Sequence, residues 1–257
     1  MDRRMADPLH HARIGPWTLQ TRLGMGGMCE VWQAIHADSG ERAAVKALRQ
    51  EQVGRKPAVK ALEREGAFLA QGLGAAPVLR RTGTVAGRPA LVMEFIDGEP
   101  LHRLLGPQGL ADGLARFAEL CALVAELHRN GVIHNDLKPE NIVLRRDGRL
   151  RLLDFGSATR NEPLWKRLLY RKPEVVHGTP PYLAPEVAVG EMPTLASDTW
   201  SLGVIAHVLL CGTPGRPPIA RRRPDLKPNA AMAIDRCLDE DPKRRPAAAD
   251  ELVFALR

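Results

Sequence analysis

The chain predicts an α+β fold in two parts: a small antiparallel sheet carrying one helix, then a mainly helical half. Three observations predict it. Within the first hundred of the 257 residues, strand-like apolar runs at 17–23, 43–48 and 90–95 are interrupted by one helical stretch at 58–71. From residue 114 onward the period becomes helical, with Phe117, Leu120, Cys121, Val124 and Leu127 recurring at three- and four-residue steps. Between the halves, residues 94–100 include Asp97 and Gly98, which is turn chemistry rather than a long linker. Two lobes meeting at a cleft are therefore expected.

Composition removes several classes of function. At this length, with 44% hydrophobic residues, the chain can bury one large core or two small ones. No stretch reaches the roughly 20 uncharged apolar residues of a membrane helix. The nearest, 200–211, is too short, holds His207, and reads as a buried core helix. Residues 1–13 mix charge, Pro and His without an apolar block, so they read as a leader rather than a secretory signal, and a cytoplasmic location follows. Cys29, Cys121, Cys211 and Cys237 form no C-x-x-C pair, which predicts reduced thiols. The net charge of +7 would suit nucleic acid, but aromatic content is 4% and no stacking motif occurs, so no nucleic-acid partner is expected.

Taken in order, the first chemical element is Leu23-Gly24-Met25-Gly26-Gly27-Met28-Cys29-Glu30-Val31, lying between two strand-like runs. Its glycines would let backbone amides fold over phosphates; taken alone it is equally a hairpin turn. Next, Ala43-Ala44-Val45-Lys46 ends an apolar strand on a lysine whose ammonium can reach phosphate oxygens when a carboxylate fixes it, and Glu65 on the following helix is the natural partner. The decisive stretches are His134-Asn135-Asp136-Leu137-Lys138-Pro139-Glu140-Asn141 and, one hairpin later, Leu153-Asp154-Phe155-Gly156.

These runs resemble the catalytic and metal-binding loops of protein kinases, and their particular forms look most like bacterial (Hanks-type) serine/threonine kinases of the eukaryotic-like protein kinase superfamily. The resemblance implies a two-lobed kinase fold over residues 14–256, with an N-lobe at 14–95 and the hinge and C-lobe at 96–256. It implies a serine/threonine protein kinase that uses ATP and Mg2+. Asp136 would take the proton of the attacking hydroxyl, Lys138 would contact the transferring phosphoryl group, Lys46, positioned by Glu65, would hold the nucleotide phosphates, and Asn141 and Asp154 would hold magnesium. By the same resemblance Leu23, Gly24, Gly26, Gly27, Met28 and Val31 cover the nucleotide. Met93 is a gatekeeper, the Glu94 and Ile96 backbones face adenine, and Val31, Ala44 and Val143 sandwich its ring. Gly178 to Glu186 resembles the end of an activation segment, and Arg245 would pair with Glu186.

The chain also departs from that pattern. Cys29 stands where a third glycine is usual, a place that suits either an inert side chain or an oxidant-sensitive thiol. Asn135 replaces the arginine that anchors a phosphorylated loop residue in many relatives. Between Asp154 and Thr179 the other hydroxyls are Ser157, Thr159 and Tyr170, so activity is expected to be independent of loop phosphorylation. Leu164, Trp165, Leu168 and Leu169 fall at helical spacing beside basic residues, so 164–172 reads as a loop helix packed on its own lobe, as a surface for self-association or a partner, or, least favoured, as a membrane contact. The stretch between Cys211 and Cys237 is short and rich in Pro and Arg, which implies that one C-lobe helix is lacking or shortened; its run Arg221-Arg222-Arg223 reads as a solvated connector. Two other functions remain open: a catalytically silent pseudokinase that binds ATP or partners, and a kinase of small-molecule hydroxyls.

Overall fold

A computed structural model describes residues 8–163 and 179–256. The chain divides into two compact units, Met1–Asp97 and Gly98–Arg257.

The first unit is an antiparallel sheet of β1 Arg13–Ile14, β2 Trp17–Met25, β3 Cys29–His36, β4 Arg42–Leu48, β5 Leu79–Val85 and β6 Arg88–Glu94, in the order β1-β2-β3-β4-β6-β5. Alternation along the strands sends Trp32 and Ala34 of β3, and Ala43, Val45 and Ala47 of β4, to one face, where they form a core with Trp17, Leu19 and Val92. Each large apolar side chain buried there contributes about 1.5–3 kcal/mol. One helix, α1 Lys56–Leu69, follows β4, with Pro57 in its first turn, where a missing N–H costs nothing.

Two readings change here. Leu9, assigned to the leader, is fully buried in the same core, and His11 N–H donates to Leu19 O at 3.0 Å, so the described end of residues 1–13 belongs to the sheet. A lone leucine among His and Arg residues carries no periodic signal. Strand β5 was not expected, because Arg80, Arg81, Thr82, Gly83 and Thr84 are all exposed and an edge strand of this kind shows no apolar alternation.

In the second unit, β7 Gly98–Pro100, β9 Ile142–Arg145 and β10 Leu150–Leu152 form a small sheet, and β8 Val132–Ile133 pairs with β11 Thr159–Arg160. The helices are α2 Leu101–Leu104, α3 Gly113–Arg129, α4 Pro185–Ala188, α5 Leu195–Cys211, α6 Pro228–Cys237 and α7 Ala249–Ala255. The stripe Phe117, Leu120, Cys121, Val124 and Leu127 of α3 is fully buried, and α3 packs on α5 and α7. Helix α5 is buried on every side from Ser201 to Leu210. A reciprocal Thr194 and Ser197 cap opens it, and Gly212, at φ 79°, closes it. A Cβ on Gly212 would also fall 2.3 Å from Pro107 O, so this helix end requires glycine twice over. Gly203 lets α6 press close, since a Cβ there would sit 2.6 Å from that of Cys237.

Between α5 and α6 the described chain forms only the 3-10 turn Ile219–Arg221, as the shortened stretch implied. Its run stays exposed at Arg221 and Arg222, but Arg222 and Arg223 are also tied to backbone carbonyls rather than only solvated. Arg222 donates to Cys211 O at 3.0 Å and Thr213 O at 3.2 Å, and Arg223 to Leu210 O at 3.0 Å. At Leu210 and Cys211 they satisfy carbonyls that the end of α5 leaves without intrahelical partners. Among the described residues, no helix is long and apolar enough to cross a membrane.

Candidate active site

Register places the nucleotide candidates of the first unit on one face of its sheet. Val31 lies opposite Lys46, and Ala44 opposite Met93. Because side chains alternate along β4, Ala44 and Lys46 share a side, so Val31, Ala44, Lys46 and Met93 all lie opposite the Trp32 core. Helix α1 lies on that side as well, since a Cβ on Gly66 would meet Leu91, the residue opposite Lys46. Glu65 thereby reaches Lys46, with Nζ to Oε2 at 2.7 Å and side-chain exposures of 13% and 3%. A pair this buried holds the ammonium in place rather than merely screening it. Glu94 N–H donates to Val78 O at 2.8 Å, so an adenine contact at Glu94 falls to its carbonyl. Ile96 follows, half-buried.

The glycine-rich segment is the β2–β3 hairpin. Leu23 and Gly24 lie on β2, Gly26, Gly27 and Met28 form the tip, and all five are exposed. Gly26 N–H donates to Cys29 O at 2.8 Å and closes the turn. Cys29 is half-buried at the start of β3, on the same side of the strand as Val31.

In the second unit the loop after β8 gathers the chemistry. Lys138 Nζ donates to Asp136 Oδ2 at 2.9 Å, to Oδ1 at 3.1 Å and to Thr179 Oγ1 at 3.0 Å. Asn141 Nδ2 donates to Asp136 Oδ2 and to its carbonyl, both at 2.9 Å. One carboxylate is thus oriented by a cation and an amide. The loop itself hangs from Asp198, a buried carboxylate on α5 that accepts from His134 N–H and Asn135 N–H, both at 2.8 Å, and lies 3.2 Å from His128 Nε2. Ala249 N–H donates to His128 Nδ1, which leaves Nε2 as the nitrogen that bears the proton toward Asp198. Asn135 adopts φ 61°, a left-handed conformation that asparagine tolerates better than most residues.

Leu153 N–H donates to Asn141 O at 2.8 Å, continuing the β9–β10 pairing and carrying Asp154 to the same end as Asn141. The Asn141 amide nitrogen faces Asp136, so its oxygen is the atom offered outward, and Asp154 is exposed at φ 60°. An amide oxygen and a carboxylate are hard donors and fit Mg2+. Val143, on β9, is buried in the second unit. Beyond the loop, Arg245 and Glu186 form a buried two-bond pair at 2.8 and 2.9 Å. Tyr182 has its hydroxyl pushed up to about 12, first by burial and then by the Glu140 carboxylate, so it stays protonated. The expected surface at 164–172 lies outside the described residues.

Sequence reasoning did not assign roles to Asp198, His128 or Thr179. Asp198 had a detectable signal, a lone acidic side chain in a helix with no other Asp, Glu, Lys or Arg, which must find partners when buried. His128 and Thr179 act through contacts 70 and 41 residues away, which local pattern does not encode.

Comparison with known proteins gives the same picture. Residues 17–253 match the family described as the protein kinase domain. The chain belongs to that family. This kinase domain is 32% identical to the serine/threonine-protein kinase pkn2 of Myxococcus xanthus over 91% of the chain and 31% of that protein. It is 34% identical to Pkn1 of the same organism, over 80% of the chain and 30% of the relative. Against PkaA of Streptomyces coelicolor it is 32% identical, over 94% and 49%. The kinase domain therefore spans about a third to a half of the length of these relatives, which support the bacterial serine/threonine resemblance. In structure it is similar to the kinase domain of Mycobacterium tuberculosis PknI, with a TM-score of 0.74, 24% identity and coverage of 96% and 97% of the two chains; this likeness concerns the fold. Kinase domains of this family generally use ATP and Mg2+.

Proposed function

We propose that this kinase domain transfers the γ-phosphate of Mg·ATP to serine or threonine hydroxyls of a protein. The observation that carries the reading is the convergence of Asp136, Lys138, Asn141 and Thr179 within hydrogen-bond distance. Mg·ATP supplies the phosphoryl group. Asp136 orients the acceptor hydroxyl and takes its proton, and Lys138, already aligned by Thr179, neutralises charge on the group in transit. Asn141 and Asp154 offer the oxygen ligands, and Lys46, fixed by Glu65, holds phosphate oxygens. Dependence on ATP supports a cytoplasmic location. Intact Lys46, Asp136, Asn141 and Asp154 weigh against the silent pseudokinase.

The test is transfer of labelled γ-phosphate to the protein itself and to generic basic proteins. Asp136→Asn lowers the rate by at least about a hundredfold, the usual worth of a positioned proton acceptor. Because Asn135 gives a phosphorylated loop no arginine, phosphatase-treated protein keeps its activity. Label on small alcohols but on no protein or peptide would overturn the protein-kinase reading. Equal label from wild type and Asp136→Asn would overturn the role of Asp136.

A further inference from the structure

Beside the glycine-rich hairpin lies a short segment that none of the catalytic roles uses. After β4 the chain makes a single 3-10 turn, Gln50–Gln52, before α1. From this segment Arg49 Nη1 donates to Gly26 O at 3.2 Å, Gln52 Nε2 to Gly27 O at 3.4 Å, and Arg49 N–H to Met28 O at 3.0 Å. Three successive carbonyls at the loop tip thus accept from one neighbouring turn. The turn is itself held: the Arg49 guanidinium pairs with Glu51, and Gln50 Oε1 accepts from Arg88 Nε at 3.0 Å.

Peptide planarity gives this arrangement a consequence. In a trans peptide the carbonyl of one residue and the N–H of the next point in opposite directions. Fixing the carbonyls of Gly26, Gly27 and Met28 on the Arg49–Gln52 side therefore turns the N–H groups of Gly27, Met28 and Cys29 to the other side. Successive backbone N–H groups turned one way form an anion-binding concavity. A Gly-Gly tip left to itself has the widest choice of backbone angles of any dipeptide, so without a brace most of its conformations scatter those amides.

We infer that the 49–52 turn is a brace that presets the loop amides for nucleotide phosphates, with Arg49 and Gln52 as positioning residues. This rests on the proposed reading of the loop as the phosphate cover. The brace acts before the nucleotide arrives, by removing loop conformations that binding would otherwise have to exclude. It also offsets the usual cost of Cys29, because a side chain at the third glycine position matters less when the backbone around it is already set.

Two measurements on the whole chain test the inference. The first is amide hydrogen exchange at residues 26–29 without nucleotide, where Arg49→Ala/Gln52→Ala exchanges faster than wild type while β4 and α1 keep their protection. The second is Mg·ATP affinity and steady-state kinetics. The double variant raises Kd and KM for ATP about three- to tenfold, the worth of one or two hydrogen bonds, with kcat at saturating ATP within about twofold. Arg49→Lys, which keeps one donor for Gly26 O, recovers part of the loss. Unchanged loop exchange, or unchanged Kd and KM in a wild type that binds Mg·ATP, overturns the brace alone. A wild type with no Mg·ATP affinity overturns the proposed function, and the inference with it.

Discussion

Among the described residues, each unit buries an arginine–glutamate pair, Arg88–Glu30 in the first and Arg245–Glu186 in the second, and the two are built differently. In the second unit Arg245 gives both terminal nitrogens to Glu186 and further hydrogen bonds to the carbonyls of Asp239, Ala196 and Glu240, with its side chain 0% exposed. In the first unit Arg88 gives one terminal nitrogen to Glu30 at 2.7 Å and Nε to the neutral side chain of Gln50, while Trp32 Nε1 donates to the other Glu30 oxygen. Desolvating a guanidinium is costly in both places. Arg245 recovers that cost from carbonyls of its own unit, so it is a lock on the chain around Glu186. Arg88 uses one of its donors to hold the turn that braces the glycine-rich loop, so it is a link. Saturation with backbone acceptors fixes a segment, whereas a bridging side chain couples two segments.

The largest expected effect breaks the lock. Arg245→Met lowers stability by about 3–5 kcal/mol, because it leaves a buried Glu186 carboxylate without its counter-charge, held among the described residues only by the Ser197 hydroxyl. Adding Glu186→Gln recovers little, since the carbonyls of Asp239 and Glu240 lose the donor that Arg245 supplied. Arg88→Met is also destabilising, but adding Glu30→Gln recovers most of the loss, because glutamine still accepts from Trp32 and no backbone carbonyl depended on Arg88. Urea unfolding of the four variants measures both recoveries. Equal recovery in the two cycles would erase the distinction between lock and link.

The same contrast explains what could be read from the sequence. Asp136, Lys138 and Asn141 lie within six residues of one another, and Lys46 and Glu65 lie on consecutive elements whose apolar patterns are plain, so order along the chain nearly dictates proximity. Leu9, β5, and the capping by Arg222 and Arg223 were not legible. Leu9 is a single apolar residue, β5 is an exposed edge, and an arginine that seeks backbone carbonyls looks in sequence like one that seeks water. Arg49 and Gln52 were hidden for the same reason: their acceptors are carbonyls of a loop more than twenty residues earlier.

An intermediate effect comes from a buried group that has neither kind of partner. His207 on α5 is 0% exposed, and neither ring nitrogen has a hydrogen-bond partner among the described residues. Burial, with the nearby Arg222 charge adding to it, lowers its pKa from 6.5 to about 4. Below pH 6.5 the unfolded chain takes up a proton that the folded chain refuses, so stability is lost as pH falls from 6.5 toward 4. Between pH 7 and pH 5 the loss from this residue is about 2 kcal/mol. His207→Leu removes that slope whatever constant offset it adds. Unfolding free energies of both proteins at the two pH values measure it, and parallel slopes would mean that His207 is protonated alike in the folded and unfolded chains.

The smallest effect asks whether the link transmits. Gln50→Leu takes the acceptor from Arg88 Nε and costs about 0.5–1.5 kcal/mol of stability, a typical value for one hydrogen bond. Arg49 and Gln52 keep their own bonds to the loop carbonyls, so KM for ATP rises by less than about twofold and exchange at residues 26–29 increases less than in Arg49→Ala/Gln52→Ala. A nucleotide effect as large as that of the double variant would place the anchor of the brace at Arg88 rather than at the loop. The Arg88–Glu30 pair would then set the glycine-rich loop directly, and Arg88→Met/Glu30→Gln, which recovers stability, would not recover ATP affinity.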